Sequence, residues 1–272
     1  MEHVLVSGGA SGIGAACVRA LAEDGQRVSI FDRDLVGADA LAAELTTVRY
    51  AVAAFSGDTA SEGDVARAFS GAEVALGPLT GVVISAGITL HASIEESDVG
   101  DWDRVVAVNL RGPFLMIREA LPRLRANGGG SIVAVASVDG VAAEPGASAY
   151  CASKAGLLGL VRVAALEGAK ANVRINAVCP STTDTPMLRK HLSTDSQPHT
   201  LASLRARHPI PRLIEPHEVA SPVRFLLSTQ ASAITGTTLV VDLGLLAGWT
   251  FPPNTRKEHA GASMPTLSLR AL

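Results

Sequence analysis

The 272-residue chain lacks a surplus of charge of either sign: 23 basic residues stand against 26 acidic ones, a net of −3. Without a basic excess it carries no electrostatic footprint for nucleic acid or for an anionic membrane surface. Cysteine is scarce. Cys17, Cys151 and Cys179 are odd in number and widely spaced, which excludes a disulfide framework and any familiar metal-ligand spacing. They read as small buried hydrophobes in a reducing compartment. The opening Met1-Glu2-His3-Val4-Leu5-Val6 lacks the basic and apolar regions of a signal peptide. No run of about 18 apolar residues occurs, so no membrane span is expected. A cytoplasmic location follows as the expectation. What the chain does have is apolar substance, 47% hydrophobic against 18% charged residues, enough to offset the entropy of ordering and to exclude disorder for most of its length.

Short β-branched or apolar runs alternate with longer stretches of helical period. Strands are predicted at 4–7, 27–31, 48–52, 81–85, 131–136, 173–178 and 238–241, and helices at 13–23, 35–45, 61–69, 102–127, 149–169 and 216–227. That alternation argues βαβ units, and the near-continuous apolar character of the runs argues strands buried on both faces. The fold class is therefore α/β, a Rossmann-like doubly wound parallel sheet of about seven strands in a single domain over residues 1–248. Two stretches break the pattern. Residues 186–211 are polar and hold Pro198, Pro209 and Pro211, the composition of a substrate lid above a sheet. Residues 249–272 carry Pro252, Pro253 and Pro265 without periodicity, and read as a C-terminal tail.

The strongest local signal follows the first strand. Gly8-Gly9-Ala10-Ser11-Gly12-Ile13-Gly14 runs from a strand directly into a helix, with Gly8, Gly12 and Gly14 allowing the backbone to tighten and approach a pyrophosphate. The helix N-terminus then offers unpaired N–H groups and a positive dipole end to the phosphates. Asp32 ends the second strand, where a carboxylate can bond both ribose hydroxyls of NAD and would repel the 2′-phosphate of NADP. Arg33 is the counter-argument, since it could swing toward a 2′-phosphate. The expected cofactor is NAD, with NADP the less favoured alternative.

Tyr150 and Lys154 stand four residues apart, on one face of a predicted helix. An ammonium beside a phenol stabilises the phenolate and lowers its pKa toward a usable general base. Ser137 lies at the carboxyl end of the preceding strand, the end at which ligands bind in open parallel sheets. With Gly8-x-x-x-Gly12-x-Gly14, Asn109, Ser137, Tyr150 and Lys154 in this order and at these separations, the chain resembles the short-chain dehydrogenase/reductase family over roughly residues 1–245.

The resemblance implies a set of roles. Tyr150 would exchange the proton with the substrate hydroxyl or carbonyl oxygen. Lys154 would lower its pKa and bond the nicotinamide ribose, and Ser137 would polarise the same substrate oxygen. Asn109 would hold a water connecting Lys154 to solvent. Asp58 would contact the adenine edge, while Ile13 and Ser11 would lie against the phosphates. Ala86 and Gly87, from the fourth-strand signature, would line the cofactor, as would Pro180 on the nicotinamide side. Thr183 and Thr185 would hold the carboxamide. For Asp58 and Thr185, capping of the helices that follow them is a competing expectation.

Three departures from the family pattern stand out: Ile84-Ser85-Ala86-Gly87 in place of Asn-Asn-Ala-Gly, Ser181 after Pro180 where glycine is usual, and Asp242-Leu243-Gly244 in place of Asp-Gly-Gly. None replaces a proton-handling residue. The expected activity is NAD-dependent hydride transfer between nicotinamide and a small secondary alcohol or ketone. An NADPH-dependent ketoacyl-type reductase and a non-catalytic nucleotide sensor are the alternatives. Arg111, Arg118, Arg123 and Arg125, along one helix, would be the basic patch for an acidic carrier in the reductase reading. Asp139 and Glu144 point toward a polar, polyhydroxylated or cationic substrate, whereas Met187, Leu188 and Leu192 could line an apolar pocket. The resemblance further implies a homotetramer, built on the two long helices.

Overall fold

The computed structural model describes residues 2–193 and 199–248. Seven parallel strands form one sheet: β1 (His3–Ser7), β2 (Arg27–Asp32), β3 (Val52–Ser56), β4 (Gly81–Ile84), β5 (Gly130–Val135), β6 (Val173–Pro180) and β7 (Thr238–Val241). Their spatial order is β3-β2-β1-β4-β5-β6-β7. The helices are α1 (Gly12–Glu23), α2 (Leu35–Thr47), α3 (Glu62–Leu76), α4 (Val99–Val106), α5 (Gly112–Ala126), α6 (Ser148–Ala169), α7 (Pro186–Leu192), α8 (Leu201–Ala206) and α9 (Pro216–Leu227). The fold is the expected single-domain, doubly wound α/β architecture.

Alternate side chains of each strand feed two separate cores. Leu5, Phe31, Ile84, Ile132 and Ile175 pack under α3, α5 and α6 with Phe69, Met116 and Leu157. Val4, Val6, Ile30, Val83 and Val178 pack under α1, α2 and α9 with Val18, Leu41 and Val223. This two-sided burial explains why the strands read as apolar runs without alternation. Helix α6 has the length and mean hydropathy, 22 residues and 1.3, of a helix able to cross a membrane. Lys154, Arg162 and Glu167 interrupt its apolar sequence. Here it is a core helix that buries Leu157, Leu158, Val161, Ala164 and Ala165.

Two elements differ from expectation. The third strand is Val52–Ser56 and not 48–52; Val48-Arg49-Tyr50 instead finishes the exit from α2, with Arg49 at φ 71°. The apolar run there was misleading because the true strand, Val-Ala-Ala-Phe-Ser, is mostly small residues. The long helix expected at 102–127 starts at Val99 and opens into a π-turn at Ala107–Arg111 before α5 continues. Of the expected lid, 186–211, α7 and α8 are described and residues 194–198 lie outside the described residues, as does the tail 249–272.

At the amino end of the sheet, the fully buried His3 ties the strands to the helix layer. Its Nδ1 lies 2.7 Å from the Gly77 carbonyl and its Nε2 2.9 Å from the Ser29 hydroxyl. The carbonyl can only accept, so Nδ1 carries the proton and Nε2 accepts from Ser29. Burial lowers the His3 pKa below its ordinary 6.5, so at mildly acid pH the unfolded chain binds a proton that the native one does not. The stability from His3 is therefore full above pH ~6.5 and is lost as pH falls below it. Urea midpoints should drop between pH 7 and 5, and His3→Leu, which strands two buried polar groups, should destabilise by about 2 kcal/mol or more at pH 7. An unchanged midpoint in both experiments would refute this account of His3.

Candidate active site

The strand order reverses between β1 and β4, and in such sheets the crevice at the switch point, beyond the carboxyl ends, receives the ligand. The glycine turn sits there. Gly8 has φ 67°, and a Cβ on it would fall 2.6 Å from the Ala86 amide nitrogen at the exit of β4. At Gly14 the Cβ would lie 2.0 Å from the Gly8 carbonyl oxygen, so the turn closes onto α1 only because no side chain intervenes. Gly12, at φ 53°, faces Thr185. Ser11 is the N-cap of α1 yet gives no side-chain cap bond. No side chain caps the start of α1, and Ile13 lies in its first turn. Asp32 is locked beside it: Oδ2 accepts from the Ala10 amide and Oδ1 from the Asp34 amide, both at 3.0 Å. Each oxygen keeps a further lone pair for a ribose hydroxyl. Arg33 is exposed. These residues fit an adenine dinucleotide.

On the far side of the crevice, α6 presents Tyr150 and Lys154 as expected. Lys154 is 4% exposed, its Nζ donates to the Val135 carbonyl at 2.9 Å, and it lies 5.5 Å from the centre of the Tyr150 ring. Desolvation lowers its pKa to about 8. Ser137, at the end of β5, faces the Tyr150 phenol and favours its ionised form. One expectation fails here. Burial, followed by the charge of Asp139, pushes the tyrosine above its ordinary 10, and only Ser137 opposes this appreciably. The Lys154 ammonium is aimed at a backbone carbonyl, so its field does not outweigh the loss of solvent around the phenol.

Asn109 sits in the π-turn, fully buried. Its Oδ1 accepts from the Ile88 amide at 2.9 Å, while Nδ2 donates to the Ile88 carbonyl at 2.8 Å and to Ser153 Oγ at 3.2 Å. The side chain is thus a clamp between the β4 exit and α6, and any link to solvent would run through its backbone. A Cβ at Gly87 would come 3.4 Å from Asn109 Oδ1 and 3.6 Å from Lys154 Nζ, which puts Ala86-Gly87 at the junction of the two halves of the site. Asp58 is exposed and accepts from the Ala60 amide at 2.8 Å; Ser61, not Asp58, caps α3. Thr185 does cap its helix, accepting from the Leu188 amide at 3.3 Å, and Thr183 donates to the Ser181 carbonyl at 2.9 Å.

The departures have local solutions. Ser181, after Pro180, lies 2.7 Å from His208 Nε2 in a buried pair. Leu243 adopts φ 53°, the left-handed conformation that glycine supplies without strain, while its side chain packs against the second core. Ser85 donates its amide to the Ser7 carbonyl at 3.2 Å, which rejoins the exits of β4 and β1. Sequence reading missed Val135, Ile88, Ser153 and His208. The first two act through backbone atoms, and no side-chain pattern announces those; Ser153 stood inside the Tyr150–Lys154 segment and could have been flagged.

Comparisons with known proteins agree with this geometry. A family model described as enoyl-(acyl carrier protein) reductase matches residues 8–246. The chain is 38% identical to 2-(S)-hydroxypropyl-CoM dehydrogenase 3 of Xanthobacter autotrophicus, over 90% of this chain and 97% of that protein. It is 38% identical to D-threitol dehydrogenase of Mycolicibacterium smegmatis, over 88% and 91% of the two chains. Among solved structures it is similar to levodione reductase, with a TM-score of 0.87, 31% identity and 91% and 98% coverage. A 3-ketoacyl-(acyl-carrier-protein) reductase from Brucella melitensis, complexed with NADH, gives a TM-score of 0.82 at 32% identity, with 90% and 98% coverage. The chain belongs to the short-chain dehydrogenase/reductase family, and it is an oxidoreductase acting on CH–OH groups.

Gly14→Ala tests the crevice. The Cβ must displace the Gly8 carbonyl, so NADH affinity read by fluorescence titration should fall by about tenfold or more, with the far-UV spectrum retained. Unaltered affinity would detach the glycine turn from dinucleotide binding.

Proposed function

We propose that the protein is an NAD-dependent secondary-alcohol dehydrogenase in which Tyr150 is the general acid and base. The observation that carries this reading is the convergence of the Tyr150 phenol, the Ser137 hydroxyl and the buried Lys154 ammonium at the carboxyl ends of β4 and β5, beside the glycine crevice. The dinucleotide supplies the hydride acceptor or donor. Gly8, Ser11, Gly12, Ile13 and Gly14 would hold its pyrophosphate, Asp32 its adenosine ribose, Asp58 its adenine edge, and Ala86, Gly87, Pro180, Thr183 and Thr185 its nicotinamide half. In ketone reduction Tyr150, protonated at neutral pH, would give its proton to the carbonyl oxygen, and Ser137 would steady that oxygen by turning its hydroxyl proton from Asp139 Oδ2 to the substrate. Lys154 holds positive charge next to the developing phenolate and would bond the nicotinamide ribose. In alcohol oxidation the same proton leaves by the reverse route.

NAD is favoured because Asp32 is fixed by two backbone amides, so its charge cannot turn away from a 2′-phosphate. Three of the four arginines that would serve a carrier-dependent reductase are engaged within the chain. Arg111 bonds the Ala60 carbonyl, Arg118 pairs with Glu62, and Arg123 pairs with Glu73 and Glu119. The sensor alternative has a parallel in a 39% identical relative, named inactive 2-(S)-hydroxypropyl-CoM dehydrogenase 2, but this chain keeps its tyrosine and lysine. We place the enzyme in the cytoplasm, in keeping with three free cysteines, acting on a small molecule without nucleic acid or membrane as partner. We further read it as a homotetramer: Val163 and Leu166 on α6 are 55% and 78% exposed and Phe114 on α5 is 48% exposed, a face suited to a second copy. Light scattering should give four chain masses, and a monomer would refute the assembly.

Tyr150→Phe should lower kcat by about 10²-fold or more while NADH still binds; retention of most turnover would sink the assignment. In the reduction direction, kcat/KM should decline as pH rises through the Lys154 pKa of about 8, because the deprotonated amine no longer favours the phenolate being formed. A profile flat from pH 7 to 9 would contradict that role for Lys154.

A further inference from the structure

Two carboxylates lie between Ser137 and Tyr150, and the structure separates their roles. Glu144 accepts from Arg207 Nη1 at 2.7 Å and lies 3.6 Å from His199 Nε2, so its charge is matched by the segment around α8. It is not left to read a substrate. Asp139 is. Its amide donates to Ser137 Oγ at 3.1 Å, and its Oδ2 accepts the Ser137 hydroxyl proton at 3.2 Å. Among the described residues, Oδ1 accepts no hydrogen bond. The carboxylate is half-buried in the one-turn 3-10 helix Val138–Gly140. That turn is pressed against α6 so closely that a Cβ at Gly140 would fall 2.8 Å from the Lys154 backbone. Its charge reaches both Tyr150 and Lys154. The Ser137 hydroxyl thus has both a phenol and a carboxylate as neighbours.

We propose that Asp139 Oδ1 accepts the hydroxyl adjacent to the reacting one, so that the enzyme's substrates are vicinal diols and the corresponding α-hydroxy ketones. This rests on the dehydrogenase reading above. The Asp139 carboxylate stands 3.2 Å from the Ser137 hydroxyl that would hold the reacting oxygen, and neighbouring hydroxyls of a gauche diol are separated by the same kind of distance. An ionised carboxylate only accepts hydrogen bonds. It rewards a neighbouring O–H, is left unsatisfied by a methyl group, and repels a carboxylate or sulfonate on the adjacent carbon. The bond is charge-assisted, which gives it about twice the strength of a neutral one. The cleft therefore sorts substrates of equal carbon skeleton by what stands beside the carbinol.

The test compares kcat/KM for butane-2,3-diol, butan-2-ol and 2-hydroxybutanoate with NAD, in the wild type and in Asp139→Asn and Asp139→Ala. The wild type should prefer the diol to the monoalcohol by about tenfold or more and should use the carboxylate least. Asp139→Asn should shrink the diol preference, and Asp139→Ala should bring the diol and monoalcohol close together and relieve the discrimination against 2-hydroxybutanoate. A purely structural role would lower all three constants in parallel and leave their ratios unmoved, which would overturn the proposal. Equal wild-type constants for diol and monoalcohol would overturn it while leaving the dehydrogenase reading intact. Absence of turnover with every alcohol and ketone tried would overturn both.

Discussion

A buried ammonium needs a partner, and the Lys154 Nζ bond to the Val135 carbonyl, 2.9 Å long, organises everything around it. A charge with 4% exposure is costly unless hydrogen-bonded, so α6 must sit where its fifth residue from the start of Tyr150-Cys151-Ala152-Ser153-Lys154 reaches the end of β5. That seating fixes Tyr150 one turn earlier on the same face. It also requires Gly140 in the turn above, since any side chain there would strike the α6 backbone. Asn109 completes the arrangement by joining Ile88 to Ser153, and the π-turn at Ala107–Arg111 is the local irregularity that accompanies it. Helical openings of this kind recur at functional sites.

The same geometry joins the two halves of the site. The glycine turn and the catalytic helix belong to different βαβ halves, and they meet because β4 pairs directly with β1. Gly8 approaches Ala86, and Gly87 approaches Asn109 and Lys154. A short Ala-Gly bridge thus connects the glycine turn to Asn109 and Lys154. The low polarity of this junction sets its electrostatics. Desolvation brings Lys154 down to about 8 and raises Tyr150 above its ordinary range.

Much of this was legible in the residues. Glycines at 8, 12 and 14, Asp32, Ser137, Tyr150 and Lys154 stand at the carboxyl ends of the strands, where their order and spacing put them, and for the glycines the reason is that a Cβ would strike neighbouring groups. Strand and helix order was readable because both faces of the sheet are buried, which makes strands contiguous apolar runs. The failures have equally local causes. The third strand was misplaced because Ala-Ala contributes little apolar signal. The direction of the Tyr150 shift was inverted because a pair four apart on a helix says nothing about what else the ammonium bonds. Glu144 looked like a substrate contact until Arg207, 63 residues later, was seen to hold it. Long-range partners and backbone acceptors leave no mark in a linear pattern.

The claim on which the whole account rests is that hydride moves between a carbinol carbon and a nicotinamide bound at the glycine crevice. It is tested most directly by incubating the enzyme with NAD and an alcohol deuterated at the carbinol carbon, then recovering the dinucleotide for mass spectrometry. The account predicts deuterium on the reduced nicotinamide ring, transferred from the alcohol in a single step. Oxidation of the alcohol with no label on the nicotinamide would contradict it.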